Sequence, residues 1–560
     1  MDEVAIDIQD AVHELFGEKT EIKLTVPSDA AHGDLSTNVA MQLAKRVGKN
    51  PREIAEAITS KLSYDAEVAG PGFLNIKLSG VWLNQVLDEQ WSESYGGNDD
   101  GAGKTVLVEY PSQNVAKPYS VGHLRPGNQG WAVKRLMEVT GWKVITDNHL
   151  GDYGAPFGIW VVGFLKFSSE AALAERGVYE LGDVYIKTKK ALKEEEAKGE
   201  RTLANQVQDW LLRLEDGDAE ATRYSDLFNE VSLKHIHDVM DRLEIETDYE
   251  LGEKFFAKQG KAEVERLLKA GVFEKNSDGS VICRLDEQGI DVPLLVLKSN
   301  GAALYATTDL ATMLYREKEF KPDRIIHAVG AEQKFYFEQL FAMAKKIGLG
   351  DIEMVHLWFG IIDQISEDGV REKMSSRKGV VLMEELLDQA EAKARETVKG
   401  RDVSEEDIKK IALGAIKFND FTSDRRTNIL FDWKTIFALT GFSGPYVQYA
   451  TVRINKILES NRGFEMVDFS DYDFAAEKPM IKALLEYPDI VRHSANLLEP
   501  HRIAFFAHNL AKTLNQYYEK NPVNSADDAT RSARLMVLKK SAQVMTHALD
   551  ILGVKVPGKM

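Results

Sequence analysis

The sequence predicts a multidomain protein, α/β followed by all-α. A central doubly wound parallel sheet is preceded by a small α/β module and followed by a helical bundle. Three observations carry this reading. From about residue 103 to 165, and again near 292 and 324, short apolar runs alternate with helical periodicity, as in a parallel sheet with crossover helices. Residues 1 to 95 mix strand and helix patterns and stop at the glycine-rich Gly96-Gly-Asn-Asp-Asp-Gly-Ala-Gly103. From Gly444 to Leu552 almost every segment is helical in spacing. A chain of 560 residues has room for several domains.

Taken in order, Val4 to Phe16 reads as an amphipathic helix and Ile22 to Val26 alternates like a strand. Asn38 to Arg46 and Pro51 to Leu62 are helical, the second with Pro51 in its first turn, where a missing N–H costs nothing. Gly70-Pro-Gly turns the chain into a strand that starts at Phe73. Gly101-Ala-Gly-Lys-Thr105 looks like the end of a phosphate-binding P-loop, but that pattern needs a glycine where Asn98 stands. Its Lys-Thr should also open a helix, and here it precedes a strand, so it reads as a linker turn.

Val106 to Tyr110 is a short buried strand. Pro111 and Pro118 break the loop after it, and helical spacing resumes near Val121 and runs through Ala132, Leu136 and Val139. A strand, loop and helix start of this kind leaves free N–H groups and partial positive charge, which suit a phosphate. Gly122 lets a flat group approach the backbone, and Lys117, His123 and Arg125 supply donors. An ordinary crossover with polar surface residues fits this stretch equally well. Lys143 to Thr146 is the next strand, and Asp147-Asn-His-Leu-Gly-Asp-Tyr-Gly154 follows at its carboxyl end, where such sheets bind ligands.

From about 166 to 270 the pattern is helical and charged, as an insertion solvated on one face. Val292 to Lys298 and Arg324 to Gly330 are then expected to complete the interrupted sheet. Arg371 to Gly379 is a basic, hydroxyl-bearing segment, followed by helices at Met383 to Thr397 and Ser404 to Phe418. Tyr446 to Leu458, Met480 to Glu499, His501 to Asn521 and Ala529 to Leu552 make the bundle.

The single cysteine, Cys283, excludes an intrachain disulfide framework and a cysteine-rich zinc site. No apolar run is long enough to span a bilayer, and the acidic first residues lack a signal-peptide pattern, so a cytoplasmic protein with no membrane partner is expected. The net charge of −18 argues against nucleic acid, but it is unevenly spread. From Thr440 onward 15 Lys and Arg face 13 Asp and Glu, so about −20 lies elsewhere. Local potential, not the total, decides whether phosphates can be met.

Two cationic pieces, Lys117 to Arg125 and Lys373 to Lys378, stand far apart in the chain at loop–helix junctions. Closing both on one triphosphate would stabilise the charge that develops in nucleotidyl transfer, with Mg²⁺ brought by the nucleotide. Here a resemblance becomes specific. Ser120-Val-Gly-His123 resembles the HIGH signature of class I aminoacyl-tRNA synthetases, and Lys373-Met-Ser-Ser-Arg377 resembles the KMSKS signature. Nearly the whole chain is similar to the arginyl-tRNA synthetases. Ala31-His-Gly-Asp-Leu-Ser-Thr-Asn, Asn114-Val-Ala-Lys-Pro, Gly122-His-Leu-Arg, Gly151-Asp-Tyr-Gly, Tyr305-Ala-Thr-Thr-Asp and Ser443-Gly-Pro-Tyr-Val-Gln-Tyr-Ala occur in that family's order.

The resemblance implies an additional tRNA-contacting module at 1–95 and a Rossmann-type catalytic domain at 103–400, with its helical insertion at about 166–270. It also implies connecting helices at 401–440 and a helical anticodon-binding domain at 441–560. The implied reaction joins L-arginine to the 3′ end of tRNA(Arg) at the expense of ATP, usually needing tRNA for the first step. Lys117, Ser120, Gly122, His123, Lys373, Ser375, Ser376 and Arg377 would be catalytic, with Met374 joining the first five around ATP. Glu109, Asn114, Tyr305, Asp309 and Gln333 would hold arginine, and no metal site is encoded by the protein. A carboxylate pairs bidentately with a guanidinium, which suits Glu109 and Asp309. Glu109 also fits a structural ion pair, Tyr305 a core position and Gln333 a surface amide.

The sequence departs from the family at Ser120, Pro126-Gly127, Pro156, Thr308 and Ser376. The last is common in arginine enzymes, where the upstream lysine, here Lys117, is thought to substitute. A non-catalytic tRNA-binding relative and a synthetase for glutamate or glutamine are the competing readings. Tyr446, Tyr449, Arg453, Arg492 and Arg502, with Tyr517 and Arg534, are candidate tRNA contacts, although helical spacing also makes any one of them an ordinary surface or core residue. A monomer is expected.

Overall fold

The computed structural model describes residues 2–25, 27, 32–80, 82, 95–153, 156–365, 369–374, 381–469 and 472–560, apart from the side chains of residues 2 and 3. The chain divides into two units. One combines residues 1–97, 446–493 and 505–549; the other combines 98–445, 494–504 and 550–560.

In the first unit, three strands, β1 (Leu35–Thr37), β2 (Asp65–Ala69) and β3 (Phe73–Lys77), form an antiparallel sheet in the order β1-β3-β2. Helices Asp2–Phe16, Val39–Val47 and Pro51–Thr59 belong to the same module. Asn50 caps the third by accepting from the Arg52 N–H at 2.9 Å, and Pro51 takes the first helical position. The expected strand at Ile22 to Val26 is reduced to one bridge, Thr25 to Ser36, and Val26 lies outside the described residues. Asp65–Ala69 was not anticipated, because its Asp-Ala-Glu-Val-Ala lacks β-branched alternation; pairing with β3 forms it. Most of four long helices, Gly444–Ser460, Lys478–Leu497, His501–Lys520 and Asp528–Ile551, falls in this unit and makes its helical C-terminal part. The buried Asp34 carboxylate accepts from the Leu78 N–H at 2.8 Å and pairs with Lys478 at 2.7 Å.

The second unit is built on a four-stranded parallel sheet. Its strands are β4 (Thr105–Glu109), β5 (Lys143–Asp147), β9 (Arg324–His327) and β10 (Glu353–His356), in the order β10-β9-β4-β5. β4 is central and buried along nearly its whole length. Helix Leu124–Val139 crosses from β4 to β5. It packs closely because Gly130 has no Cβ: one placed there would lie 2.3 Å from the Tyr110 ring.

The segment 156–269 is helical, in six helices from Pro156–Phe167 to Glu253–Lys269. The expectation that Val292 to Lys298 rejoins the parallel sheet fails. β6 (Glu274–Lys275), β7 (Val281–Leu285) and β8 (Ile290–Leu297) form their own antiparallel sheet. β8 carries Val292 and Leu295 exposed, whereas a strand of the parallel sheet is buried on both faces. Arg324–His327 does join the parallel sheet, but β10 (Glu353–His356), which was not anticipated, completes it. A third sheet holds β11 (Ile362–Ile365), β12 (Arg371–Lys373) and β13 (Ile429–Phe431) in the order β12-β11-β13, and helices Met383–Thr397 and Glu405–Asp420 run between β12 and β13.

Candidate active site

Strand register builds the floor of the site. Glu109 ends β4 beside Asp147 of β5 on one side and His327 of β9 on the other. Arg316, fully buried on helix Tyr305–Phe320, closes the group. Its Nη1 donates to Glu109 Oε2 and its Nη2 to Asp147 Oδ2, each at 2.7 Å. His327 Nδ1 lies 3.1 Å from the same Glu109 oxygen, so Oε1 takes neither bond. Burial alone would raise the Glu109 carboxyl, but His327 and Arg316 outweigh it and hold it well below the usual range.

Above this floor lies a cavity of about 440 Å³. Glu109, Asn114, Tyr305, Asp309 and Gln333 all line it, together with Gly122 and His123. They reach it from separate elements. Asn114 bridges to Gly151, where a Cβ would stand 2.3 Å from its Oδ1. Tyr305 and Asp309 lie one turn apart at the start of helix Tyr305–Phe320, and Gln333 ends the short turn Ala331–Gln333 before the next helix.

The cavity is strongly acidic. Burial raises the Asp309 carboxyl, partly offset by His149 and by the hydroxyl of Tyr336, which donates to Asp309 Oδ2. His149 stands with Nε2 3.9 Å from Asp309 Oδ1, held by a bond between its Nδ1 and the Leu251 carbonyl at 2.8 Å. Glu253 also lines the cavity, and burial beside Asp309 and Asp152 pushes its carboxyl up to about 9. Such a pocket has spare negative charge that a bound cation would release from protonation. Among the described residues, no group of three or more His, Cys, Asp or Glu side chains converges as a metal ion would need.

The first signature piece pairs through the backbone with residues 381–383, which follow the second in the chain. The Val121 N–H donates to the Val381 carbonyl at 3.0 Å, and the Met383 N–H donates to the Tyr119 carbonyl at 2.9 Å. Ser120 stands at the N-cap of the turn Val121–His123, its Oγ 3.3 Å from His123 Nδ1. Burial pushes the His123 imidazole down to about 4, with Lys117 adding to the effect, so the ring is neutral at physiological pH. A Cβ on Gly122 would meet only Ser120 Oγ, at 3.3 Å, so its space is open to a ligand.

Other expected residues stand apart from the cavity wall. Lys117 has its ammonium 5.3 Å from the Tyr185 ring, and partial desolvation there, with the charge of Lys189, lowers its pKa. Lys373 ends β12 and is exposed, and the Met374 N–H donates to Ile362 O at 2.9 Å. Ser375, Ser376 and Arg377 lie outside the described residues. Arg125 is not a phosphate donor. It is buried, with Nε on Asp420 at 2.8 Å and Nη1 on the Gly360 and Thr427 carbonyls.

Three of the departures from the family pattern sit where the local structure accommodates them. Pro126 lies in the first turn of its helix, where proline is tolerated, and Pro156 opens helix Pro156–Phe167. Thr308 is buried and donates to the Tyr305 carbonyl at 2.9 Å.

Arg316, His327, His149, Glu253 and Tyr336 were missed. Arg316 had a signal: it follows Asp309 by seven residues, two helical turns, on the same face. His149 lay inside the ligand-end stretch without a role. The others had none.

Among the candidate nucleic-acid contacts, Tyr446 packs against His508 with ring centroids 5.4 Å apart, and Tyr449 is half-buried. Arg453 lies over Tyr518 at 4.1 Å. Arg492 and Arg502 pair with Asp489 and Glu499. Tyr517 is not a base stacker, because it is buried with its hydroxyl on Glu477 at 2.5 Å. Arg534 donates to the same carboxylate at 3.4 Å.

Three family models match the chain. Residues 2–78 match an arginyl tRNA synthetase N terminal domain, 85–433 match tRNA synthetases class I (R), catalytic domain, and 447–560 match a DALR anticodon binding domain. The chain is 34% identical over 565 residues to an arginine–tRNA ligase of Clostridium perfringens, covering 97% of each. It is 31% identical to one of Fusobacterium nucleatum subsp. nucleatum, covering 99% of this chain and 98% of that one. Thermus thermophilus arginyl-tRNA synthetase superposes with a TM-score of 0.81 at 21% identity, covering all of both chains. The Plasmodium falciparum arginyl-tRNA synthetase gives 0.77 at 20%, covering 100% of this chain and 99% of that one.

Proposed function

The chain belongs to the arginyl-tRNA synthetases of class I, and from that membership we propose how its own residues divide the work. It is an ATP-dependent arginine–tRNA ligase. A carboxylate oxygen of arginine attacks the α-phosphorus of ATP and pyrophosphate leaves. A hydroxyl of the terminal ribose of tRNA(Arg) then attacks the arginyl carbonyl and AMP leaves.

One observation supports the assignment of residues most strongly: Glu109, Asn114, Tyr305, Asp309 and Gln333 line a single acidic cavity beside Gly122 and His123. In our reading Asp309, oriented by Tyr336 and His149, takes the guanidinium, and Glu253 stands by as a second carboxylate. Glu109 keeps Oε1 for the α-ammonium, with Asn114 beside it. Tyr305 and Gln333 shape the cavity around the aliphatic stem. A guanidinium needs planar, charged partners, and a glutamate or glutamine substrate would meet only repulsion or unpaired carboxylates here.

His123, neutral at physiological pH, donates a hydrogen bond to phosphate without changing its charge, and Gly122 lets the nucleotide approach. Lys117 and Lys373 supply positive charge as pyrophosphate departs, with Ser120, Met374, Ser375, Ser376 and Arg377 completing the nucleotide side. We propose that Mg²⁺ arrives with ATP, held by the phosphate oxygens.

In this reading residues 1–95 contact tRNA and 441–560 hold the anticodon, through Tyr446, Tyr449, Arg453, Arg492 and Arg502. The enzyme acts as a cytoplasmic monomer, which sedimentation at working concentration tests. Among the described residues no single helix is long and apolar enough to cross a membrane.

Arginine-dependent ATP–pyrophosphate exchange, with and without tRNA(Arg), tests the reading. Exchange that rises on adding tRNA(Arg) is expected. tRNA binding without exchange would make the chain a non-catalytic relative.

A further inference from the structure

A second cavity, of about 270 Å³, lies within the unit of residues 98–445, 494–504 and 550–560, and it shares no lining residue with the first. Its inner wall is formed by Lys417, on helix Glu405–Asp420, and Trp131, on helix Leu124–Val139, with the C-terminal segment crossing at Gly553. Lys417 is 1% exposed. Among the described residues neither its Nζ nor Trp131 Nε1 has a hydrogen-bond partner. The two donors converge, since a Cβ built on Gly553 would lie 3.0 Å from each. Gly553 has φ +66°, a conformation L side chains rarely adopt, so glycine stands there and its missing Cβ leaves that point free.

Three of the four acids around the mouth are already matched. Glu244 pairs with Lys555 at 3.0 Å, Asp550 with Arg135 at 2.6 Å, and Glu246 with Lys134 at 3.8 Å. Asp241 stands exposed at the rim. What remains directed inward is a pair of donors. Burial pushes the Lys417 ammonium down to about 8, opposed by the charge of Glu244, so it stays mostly charged at neutral pH. A buried ammonium without a partner costs several kcal/mol, which a counter-anion removes. The volume is several times that of one water, so a group with more than one acceptor fits.

We propose that this cavity is a binding site for a small oxyanion, a carboxylate or a phosphate group, bridging Lys417 Nζ and Trp131 Nε1. Thermal unfolding of the full-length protein in increasing sodium acetate or sodium phosphate, at ionic strength held constant with sodium chloride, tests it. A saturable rise in Tm of about 2 °C or more is expected with one of the two, and that anion names the source. The rise should vanish in Lys417→Met and shrink in Trp131→Phe, which keeps the ring and removes the N–H. No rise with either anion, or equal rises in wild type and Lys417→Met, would overturn the proposal. Should Lys417→Met not fold, wild-type crystals grown in the favoured anion decide. Density for the anion between the two nitrogens supports the site, and an ordered water joining Lys417 to Glu244 alone rejects it.

Discussion

Asp309 and Glu253 face the same cavity from neighbouring segments, and their burial makes both reluctant to ionise while no cation is present. If Asp309 takes the guanidinium, Asp309→Asn should raise the arginine KM about ten- to a hundredfold, the worth of a charge-assisted hydrogen bond, with kcat less affected. Steady-state exchange kinetics with an unchanged KM would reject that role. Glu253 gives a pH-dependent signature. The unfolded chain releases its proton near 4.5 and the folded protein near 9. Between those values the folded state holds the extra proton, so this group makes stability fall as pH rises. Glu253→Gln should flatten that limb of the Tm–pH curve. Arginine binding at pH 7 should expel part of this proton, and calorimetry in buffers of different ionisation enthalpy measures it. Arg316 was harder to read in advance than Asp309. One arginine on a helix of mixed polarity resembles a solvated charge until the ends of β4 and β5 are placed under it.

At the level of elements, two contacts position the site. The first is the backbone pairing of Tyr119–Val121 with Val381–Met383. Val121→Pro should remove one of its hydrogen bonds, with a smaller effect from repacking the buried side chain. Position 121 opens a helical turn, and Ser120 before it is already extended, at φ −105° and ψ 160°. The ATP KM should rise several-fold while the arginine KM stays nearly constant. A parallel rise in both would mean that the pairing supports the whole cavity. The second is the approach of helix Leu124–Val139 to β4 across Gly130. Gly130→Ala should destabilise the protein by about 1–3 kcal/mol, read as a lower urea midpoint at constant slope. The Val106–Val139 stretch was legible in the sequence because its strand, prolines and helical spacing are all local signals. The hairpin β7–β8 was not. A short apolar run such as Val292 to Leu297 looks the same in either kind of sheet until its exposure is known.

For the molecule as a whole, the net charge of −18 opposes a polyanionic partner, so tRNA must be met through local clusters. The tRNA KM should therefore rise steeply between about 50 and 200 mM salt, while the KM for arginine, bound inside a cavity, moves much less. Aminoacylation kinetics at several salt concentrations measures both. The order of pieces along the chain was readable from spaced motifs, but the residues that join them across long separations were not. Arg316 reaches back 207 residues to Glu109 and 169 to Asp147. On the ribosome that separation becomes a waiting time. At synthesis rates of about 5–20 residues per second, the ends of β4 and β5 emerge roughly 8–40 s before their shared guanidinium. Until then two adjacent carboxylates disfavour closing that edge of the sheet, so the nascent chain is expected to keep its binding floor unformed, and open to chaperones, until the helix bearing Arg316 has been made.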